Sequence, residues 1–208
     1  MIKEPNRTNV PINCYTCKTL FIAMTKVLFT YLLIFPYFMA FAQDKPSEIY
    51  KTEIGNVVFK SDAPLELISS VSNELKGIID SQKRTFIFQV KVVSLKGFNS
   101  KLQQEHFYEN YMEIDKFPHM RFKGKLVEHI DFAEEGEFPV RAKGIFSIHG
   151  IEKEEIIKAT IIIGKNKIII HSEFQISLED YNIKIPHVVF QKIAEEIDVS
   201  IDVELLNE

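Results

Sequence analysis

The chain has 208 residues, with 25 Lys and Arg against 29 Asp and Glu, and a formal net charge of −4. Its 46% hydrophobic and 26% charged residues give a globular balance, which excludes a disordered chain, a collagen-like repeat and a polytopic membrane protein. No basic excess points to nucleic acid, and the sequence holds no phosphate loop or dinucleotide fingerprint.

The first element is an apolar run. Val27 to Met39 reads VLFTYLLIFPYFM without a charge, and it falls short of the roughly 20 apolar residues that span a bilayer. Lys26 precedes it, and Ala40-Phe41-Ala42 follows with the small-x-small pattern of a cleavage site. Residues 1–42 are therefore expected to be a signal peptide, cut after Ala42 to leave a single domain over residues 43–208. An uncleaved anchor is the alternative. Met24-Thr25-Lys26 is an ordinary signal-peptide opening, which makes Met24 a second candidate start and residues 1–23 an over-long gene reading. Cys14 and Cys17 lie in this segment, and their C-x-x-C has no second ligand pair of the kind zinc needs. Without Lys3, Glu4, Arg7, Lys18 and Lys26 the net charge moves from −4 to −7. The remaining domain has no cysteine and is acidic, which suits a soluble exported protein, periplasmic or secreted.

Strands follow. Weak alternation near 53–60 and 71–80 gives two, with a short helical turn expected at Pro64-Leu65-Glu66-Leu67-Ile68 behind Asp62 as a cap. Phe86, Phe88, Val90 and Val92 oppose Gln89 and Lys91. The segment from Leu102 to Asp115 breaks the period. Its Glu105, Glu109 and Glu113 are four apart, as are Phe107 and Tyr111, which predicts a short helix ended by Phe117-Pro118. Phe122, Gly124 and Leu126 then oppose Arg121, Lys123 and Lys125. Residues 138–148 alternate from Phe138 to Ile148, and Ile157, Ala159, Ile161 and Ile163 form another row. Residues 167–178 and 197–205 alternate most clearly, the latter as Ile-Asp-Val-Ser-Ile-Asp-Val-Glu-Leu. The expected fold is all-β, an eight-stranded antiparallel meander with a short helix between strands, closed into a barrel that leaves no free edges. Dense Lys and Glu on the polar faces argue against a lipid-spanning barrel and against stable membrane insertion after signal cleavage.

Such a barrel is either filled by its own side chains or holds one small ligand. The candidate lining residues are the inward rows: Phe86, Phe88 and Val90; Phe122 and Leu126; Phe146 and Ile148; and Ile168, Ile170, Phe174 and Ile176. Burying ten methylenes would supply about 8 kcal/mol gross, near a micromolar dissociation constant before ordering costs. The histidines make no H-x-H or H-E-x-x-H. His106 with Glu109 and Asn110 could converge on one helix face, His129 and His171 alternate outward, and His149 before Gly150 reads as a turn residue. Glu179 and Asp180, read as strand neighbours, point to opposite faces. No catalytic residue, metal site or cofactor is expected, and the chain is read as not an enzyme.

Three stretches carry a resemblance. The first runs from Gly97-Phe98 through Glu105-His106-Phe107, Asn110-Tyr111-Met112-Glu113 and Phe117-Pro118 to Phe122-Lys123-Gly124. The second is Gly144-x-Phe146-x-Ile148-His149-Gly150-Ile151. The third is Phe174 to Asp180-Tyr181-x-Ile183 before Ile185-Pro186. In order and spacing, over roughly 53–205, they resemble the YceI-like family of exported barrels. The family often carries Arg-Asp-Phe-Gly where this chain has Glu179-Asp180-Tyr181-Asn182. The resemblance implies a lipocalin-like eight-stranded barrel in the periplasm enclosing a lipid or polyisoprenoid-type chain. The expected partner is thus a hydrophobic, isoprenoid-like ligand, with a homodimer left open. The alternative is an envelope interaction or structural protein with a filled barrel, no ligand and an exposed apolar patch near Tyr181 to Val189.

Overall fold

The computed structural model describes residues 48–207; the expected signal segment and the Cys14–Cys17 pair lie outside the described residues. Eight antiparallel strands follow one another in chain order around a closed barrel. They are β1 (Ile49–Asp62), β2 (Leu67–Asp80), β3 (Thr85–Lys91), β4 (His119–Leu126), β5 (Gly136–Ile148), β6 (Ile151–Ile163), β7 (Lys167–Ser177) and β8 (Glu196–Asn207), and β8 returns to pair with β1. The fold is the eight-stranded antiparallel barrel with one short helix that the alternation predicts, lipocalin-like as the resemblance implies. Strands of β5's length, 13 residues, tilted as barrel strands are, give a wall about 30 Å high.

β1 and β2 are as long as any strand, 14 residues each, although their alternation is weak. The pairing of β1 with β2 shifts register between Thr52 and Gly55 and again between Gly55 and Val57. The first shift puts an extra residue into β1 and exchanges its faces, so no single period of two survives along β1; the second puts one into β2. β2 hides its inner row differently: Ser70 and Ser72 are buried there, and the Ser72 hydroxyl meets that of Ser94 at 2.6 Å. The helical turn expected at Pro64 to Ile68 does not form. Ala63 and Glu66 exchange backbone hydrogen bonds of 3.1 and 3.3 Å, which makes Pro64-Leu65 a hairpin loop and lets β2 begin at Leu67. Asp62 ends β1, its carboxylate accepting from Lys60 Nζ at 3.1 Å.

The helix between β3 and β4 is shorter than its sequence pattern. α1 (Lys101–His106) starts at Ser100, whose hydroxyl accepts from the Gln103 amide at 3.1 Å, while Gln103 Oε1 accepts from the Asn99 amide at 3.0 Å. This is a capping-box arrangement displaced by one residue. Beyond His106 the chain widens into one π turn over Phe107–Tyr111, and the Met112 amide donates to the Phe107 carbonyl at 2.9 Å. The Tyr108 hydroxyl pins the segment down. It donates to the Leu95 carbonyl at 2.6 Å and accepts from Lys96 Nζ and Gln104 Nε2 at 3.0 Å. Glu179 and Asp180 are not strand neighbours: Glu179–Tyr181 is a single 3-10 turn, ended by Asn182 at φ 55°. The left-handed region favours glycine and tolerates asparagine, so Asn182 serves where the family often has Gly.

In the wall, Gly124 and Gly144 face each other across β4 and β5. A Cβ on Gly124 would stand 2.1 Å from the Lys143 carbonyl oxygen and 2.5 Å from the Gly144 Cα. Two backbones meet there, and any side chain would force them apart.

Candidate functional site

The two ends of the barrel differ. At the end where β1 begins and β8 finishes, Tyr50, Phe132, Ile163, Ile168 and Leu205 are buried together, with the Tyr50 and Phe132 rings 5.9 Å apart. Phe132 comes from the loop between β4 and β5. These side chains form a solid floor. Burial, the Glu48 carboxylate that accepts from its hydroxyl at 2.8 Å, and that carboxylate's charge push the Tyr50 phenol up to about 12. At the opposite end, α1 with its π turn and the segment from Leu178 to Glu195 lie over the opening as a cap.

Between floor and cap lie two chambers. The lower, of about 840 Å³ of atom-free space with its mouth included, is walled by inward rows from all eight strands. An aromatic ladder runs along part of that wall: Phe88 to Phe86 at 6.0 Å, Phe86 to Phe122 at 5.0 Å, Phe122 stacked on Phe146 at 4.7 Å, and Phe146 to Phe174 at 5.8 Å. The upper chamber, about 850 Å³ on the same measure, sits under the cap, with Phe98, Phe107, Tyr111 and Met112 as its roof. Phe59, Met120 and Ile176 line both, so they form a neck between two parts of one tunnel.

The tunnel is apolar nearly throughout. Among the described residues Arg121 is the one charged residue lining it, and its guanidinium donates to Gln89 Oε1 on the outer face at 3.1 and 2.8 Å. The polar groups of the upper chamber are Ser61, Ser70, Gln103 and Tyr111. Ser61 Oγ accepts from the Ala194 amide at 2.8 Å, and Gln103 Nε2 donates to Glu66 Oε1 at 3.0 Å. Burial raises the Tyr111 phenol above its ordinary range.

Of the expected lining residues, Phe86, Phe88, Val90, Phe122, Leu126, Phe146, Ile170, Phe174 and Ile176 line the lower chamber, and Ile148 lines the upper one. Ile168 lines neither: it is 0% exposed and belongs to the floor. Periodicity gives the face of a strand but not the height along it, so the sequence row could not separate Ile168 from Ile170. The same reading missed the roof residues, which lie outside the strands. It also missed β1 and β8 lining such as Phe59, Val199 and Val203.

Outside the tunnel, five histidines are exposed: His106, His119, His129, His171 and His187. His106, Glu109 and Asn110 all face solvent, and His171 pairs with Asp202. His149 does sit at a turn, at φ 50°. Its Nδ1 is 3.0 Å from the Tyr181 carbonyl and its Nε2 is 3.1 Å from Glu113 Oε2, which ties the end of the cap to the β5–β6 turn and to the segment after β7. Among the described residues, no three His, Cys, Asp or Glu side chains gather as a metal site. No described helix is long and apolar enough to cross a membrane. Around the cap, Leu65, Leu67, Leu102, Val188 and Phe190 are exposed, Val188 by 88%, whereas Tyr181 is buried.

Residues 56–205 match the YceI-like domain family. Among solved structures the barrel is similar to a polyisoprenoid binding domain from Saccharophagus degradans implicated in plant cell wall breakdown. The TM-score is 0.66 at 10% identity, over 78% of this chain and 100% of that one. It is also similar to Burkholderia cenocepacia BcnA, with a TM-score of 0.59 at 13% identity, over 72% of this chain and 95% of that one. At these identities the likeness shows the fold. No curated protein matches the sequence.

Proposed function

The chain belongs to the YceI-like family, and from that premise we propose that it binds one long apolar molecule, isoprenoid-like in class, inside its barrel. The observation that carries the reading is the tunnel: two chambers with an apolar wall, joined at the neck of Phe59, Met120 and Ile176. A chain laid through both gains affinity from burial alone, about 0.8 kcal/mol per methylene. The likeness to a domain described as polyisoprenoid-binding supports the same class.

The wall also argues for an uncharged ligand within the tunnel. Among the described residues no lysine, aspartate or glutamate lines it, and Arg121 turns outward to Gln89. A phosphate or carboxylate drawn inside would lose its hydration without a partner, at a cost of several kcal/mol. The role proposed is carriage of the molecule rather than chemistry upon it. Its place is outside the cytoplasm, which the apolar run before Ala42 supports.

The test is native mass spectrometry of protein purified from its own envelope, followed by solvent extraction. The expected result is an added mass that extracts as a long, uncharged apolar chain. A bare protein would favour the second reading, a barrel that contacts another envelope protein. The exposed Leu65, Val188 and Phe190 around the cap are the observation in favour of that reading.

A further inference from the structure

The wall of the barrel is broken on one side. β6 and β7 pair only over Thr160–Ile163 and Ile168–His171, although β6 runs from Ile151 and β7 to Ser177. Past the last pair, Thr160 with His171, one side-chain bond crosses the fork: Ser172 Oγ donates to the Lys158 carbonyl at 2.8 Å. The strands are then held again only near the cap. There Lys153 pairs with Asp180 and His149 meets the Tyr181 carbonyl. Between these ties, two strand edges face each other without a ladder among the described residues.

The side chains fit the break. The partners of Gly144 and Phe146 on β6 are Glu155 and Lys153, so the inner row of β6 turns from apolar to charged where the strand leaves β7. Charged residues in an inner row are stable only where that row meets water. Burial, with the charges of Glu155 and Asp180, pushes the Tyr181 phenol at the cap side of the break up to about 12. The ladder of rings passes straight from Phe146 on β5 to Phe174 on β7 at 5.8 Å, skipping β6. Phe174 is half-buried, and it stands in the gap as the inner stopper.

Outside the fork lies a polar groove that includes Arg141, Lys158, His171, Glu173 and Asp202. Val140, Ala159, Ser172 and Ile201 line both this groove and the lower chamber. Only one layer of residues, two of them small, separates tunnel from solvent here. A similar gap between β2 and β3 is filled. The strand pairing of β3 with β2 ends at Lys76, but Lys96 then pairs with Val71 through bonds of 2.7 and 2.8 Å.

We infer that the β6–β7 seam is a lateral portal, through which an apolar chain passes into the lower chamber when Phe174 swings aside, while its polar end stays in the outer groove. This rests on the proposed ligand class. Opening costs no ladder hydrogen bonds beyond the fork, because none are present there. At the floor, by contrast, passage would break a packed core.

The experiment uses the full chain with Cys14 and Cys17 replaced by serine. The probe is all-trans-retinol, a fluorescent isoprenoid with an uncharged hydroxyl end, and its release into phosphatidylcholine vesicles is timed. One variant carries Ile156→Cys and Gln175→Cys, on the two free edges, bridged by a short bismaleimide. A control carries the same bridge across the cap at Leu65→Cys and Gln191→Cys, where the Leu65 amide donates to the Gln191 carbonyl at 2.9 Å. The seam bridge should slow release at least about tenfold and the cap bridge should leave it within about twofold. Phe174→Ala, which needs no cross-link, should speed release, and Leu102→Ala, on the exposed face of the cap helix, should not. Slowing by the cap bridge alone, or no effect of the seam bridge and of Phe174→Ala, would overturn the portal while leaving the ligand class intact. Failure of retinol to bind the unbridged protein at all would instead sink the ligand class, and the portal with it.

Discussion

At the floor of the barrel, Tyr50, Phe132, Ile163, Ile168 and Leu205 fill the cross-section with their own side chains. At the cap, residues of similar kind, Phe98, Phe107, Tyr111 and Met112, arch over empty space. Composition does not distinguish the two ends; backbone position does. Four of the floor residues are held in the ladder of β1, β6, β7 and β8, with Phe132 packed against them from the β4–β5 loop, so their side chains converge on the axis. The roof residues ride on a helix of six residues and one π turn, too short to be stable alone. The cap is held by side-chain tethers instead: Tyr108 to Leu95, Gln103 to Glu66 and Glu113 to His149. The floor therefore serves stability, and the cap bounds the space proposed for a ligand.

Replacing Ile168 by alanine gives the largest effect that separates these roles. Its side chain is wholly buried in the floor, so removing it should cost about 2–5 kcal/mol and lower the melting temperature by roughly 10 °C. Retinol affinity should stay within about twofold of wild type, because Ile168 does not line the tunnel. A large affinity loss with a small loss of stability would mean the floor is hollow when loaded. Phe107→Ala should do the reverse. Its ring is half-buried against Phe98 at 4.8 Å, so the stability cost should be smaller, about 1–2 kcal/mol. Affinity should fall about fivefold or more, since it removes part of the roof of the upper chamber. Denaturant melts paired with a fluorescence titration measure both.

This division shows what the sequence could and could not convey. β7 and β8 were legible because their inner rows keep one phase from end to end, Ile168 to Ile176 and Ile197 to Leu205. β1 was faint because a bulge before Gly55 exchanges its faces, and β2 because a second bulge does the same there and Ser70 and Ser72 stand in its buried row. The helix was legible by composition, but its length was not: the π turn at Phe107 leaves the 3.6-residue spacing that predicted helix to Asp115. The tunnel as a class was readable in the inward rows. Its floor was not, since Ile168 and Ile170 share a row and differ only in height. The seam had a signal that alternation alone passes over. Glu152-Lys153-Glu154-Glu155 is polar on both faces of β6, whereas a strand closed on both sides would bury one of them.

The smallest expected effect concerns the tether of the cap. The Glu113 carboxyl is held below its ordinary value of 4.5, first by the hydrogen bond from Lys116 Nζ at 2.6 Å and also by His149 at 3.1 Å, against an opposing effect of burial. A carboxyl whose folded value is depressed favours folding at pH above its ordinary value, and that contribution ebbs as pH falls through the lowered one. Glu113 also sits at φ 43°, a conformation that its partners help to hold. Protonation should therefore loosen the cap, where the Glu113 carboxylate is itself a tether, before the floor, which is closed by the packing of Phe132, Ile163, Ile168 and Leu205. Thermal melts of wild type and Glu113→Gln should differ slightly at pH 7 and converge at pH 3, while Ile168→Ala should keep its full deficit at both. Hydrogen exchange should show the same order, with amides of Met112 and Ile114 gaining exchange in acid while those of β8 hold. A gap between wild type and Glu113→Gln that persists at pH 3 would show that the shape of the side chain, rather than its charge, fastens the cap.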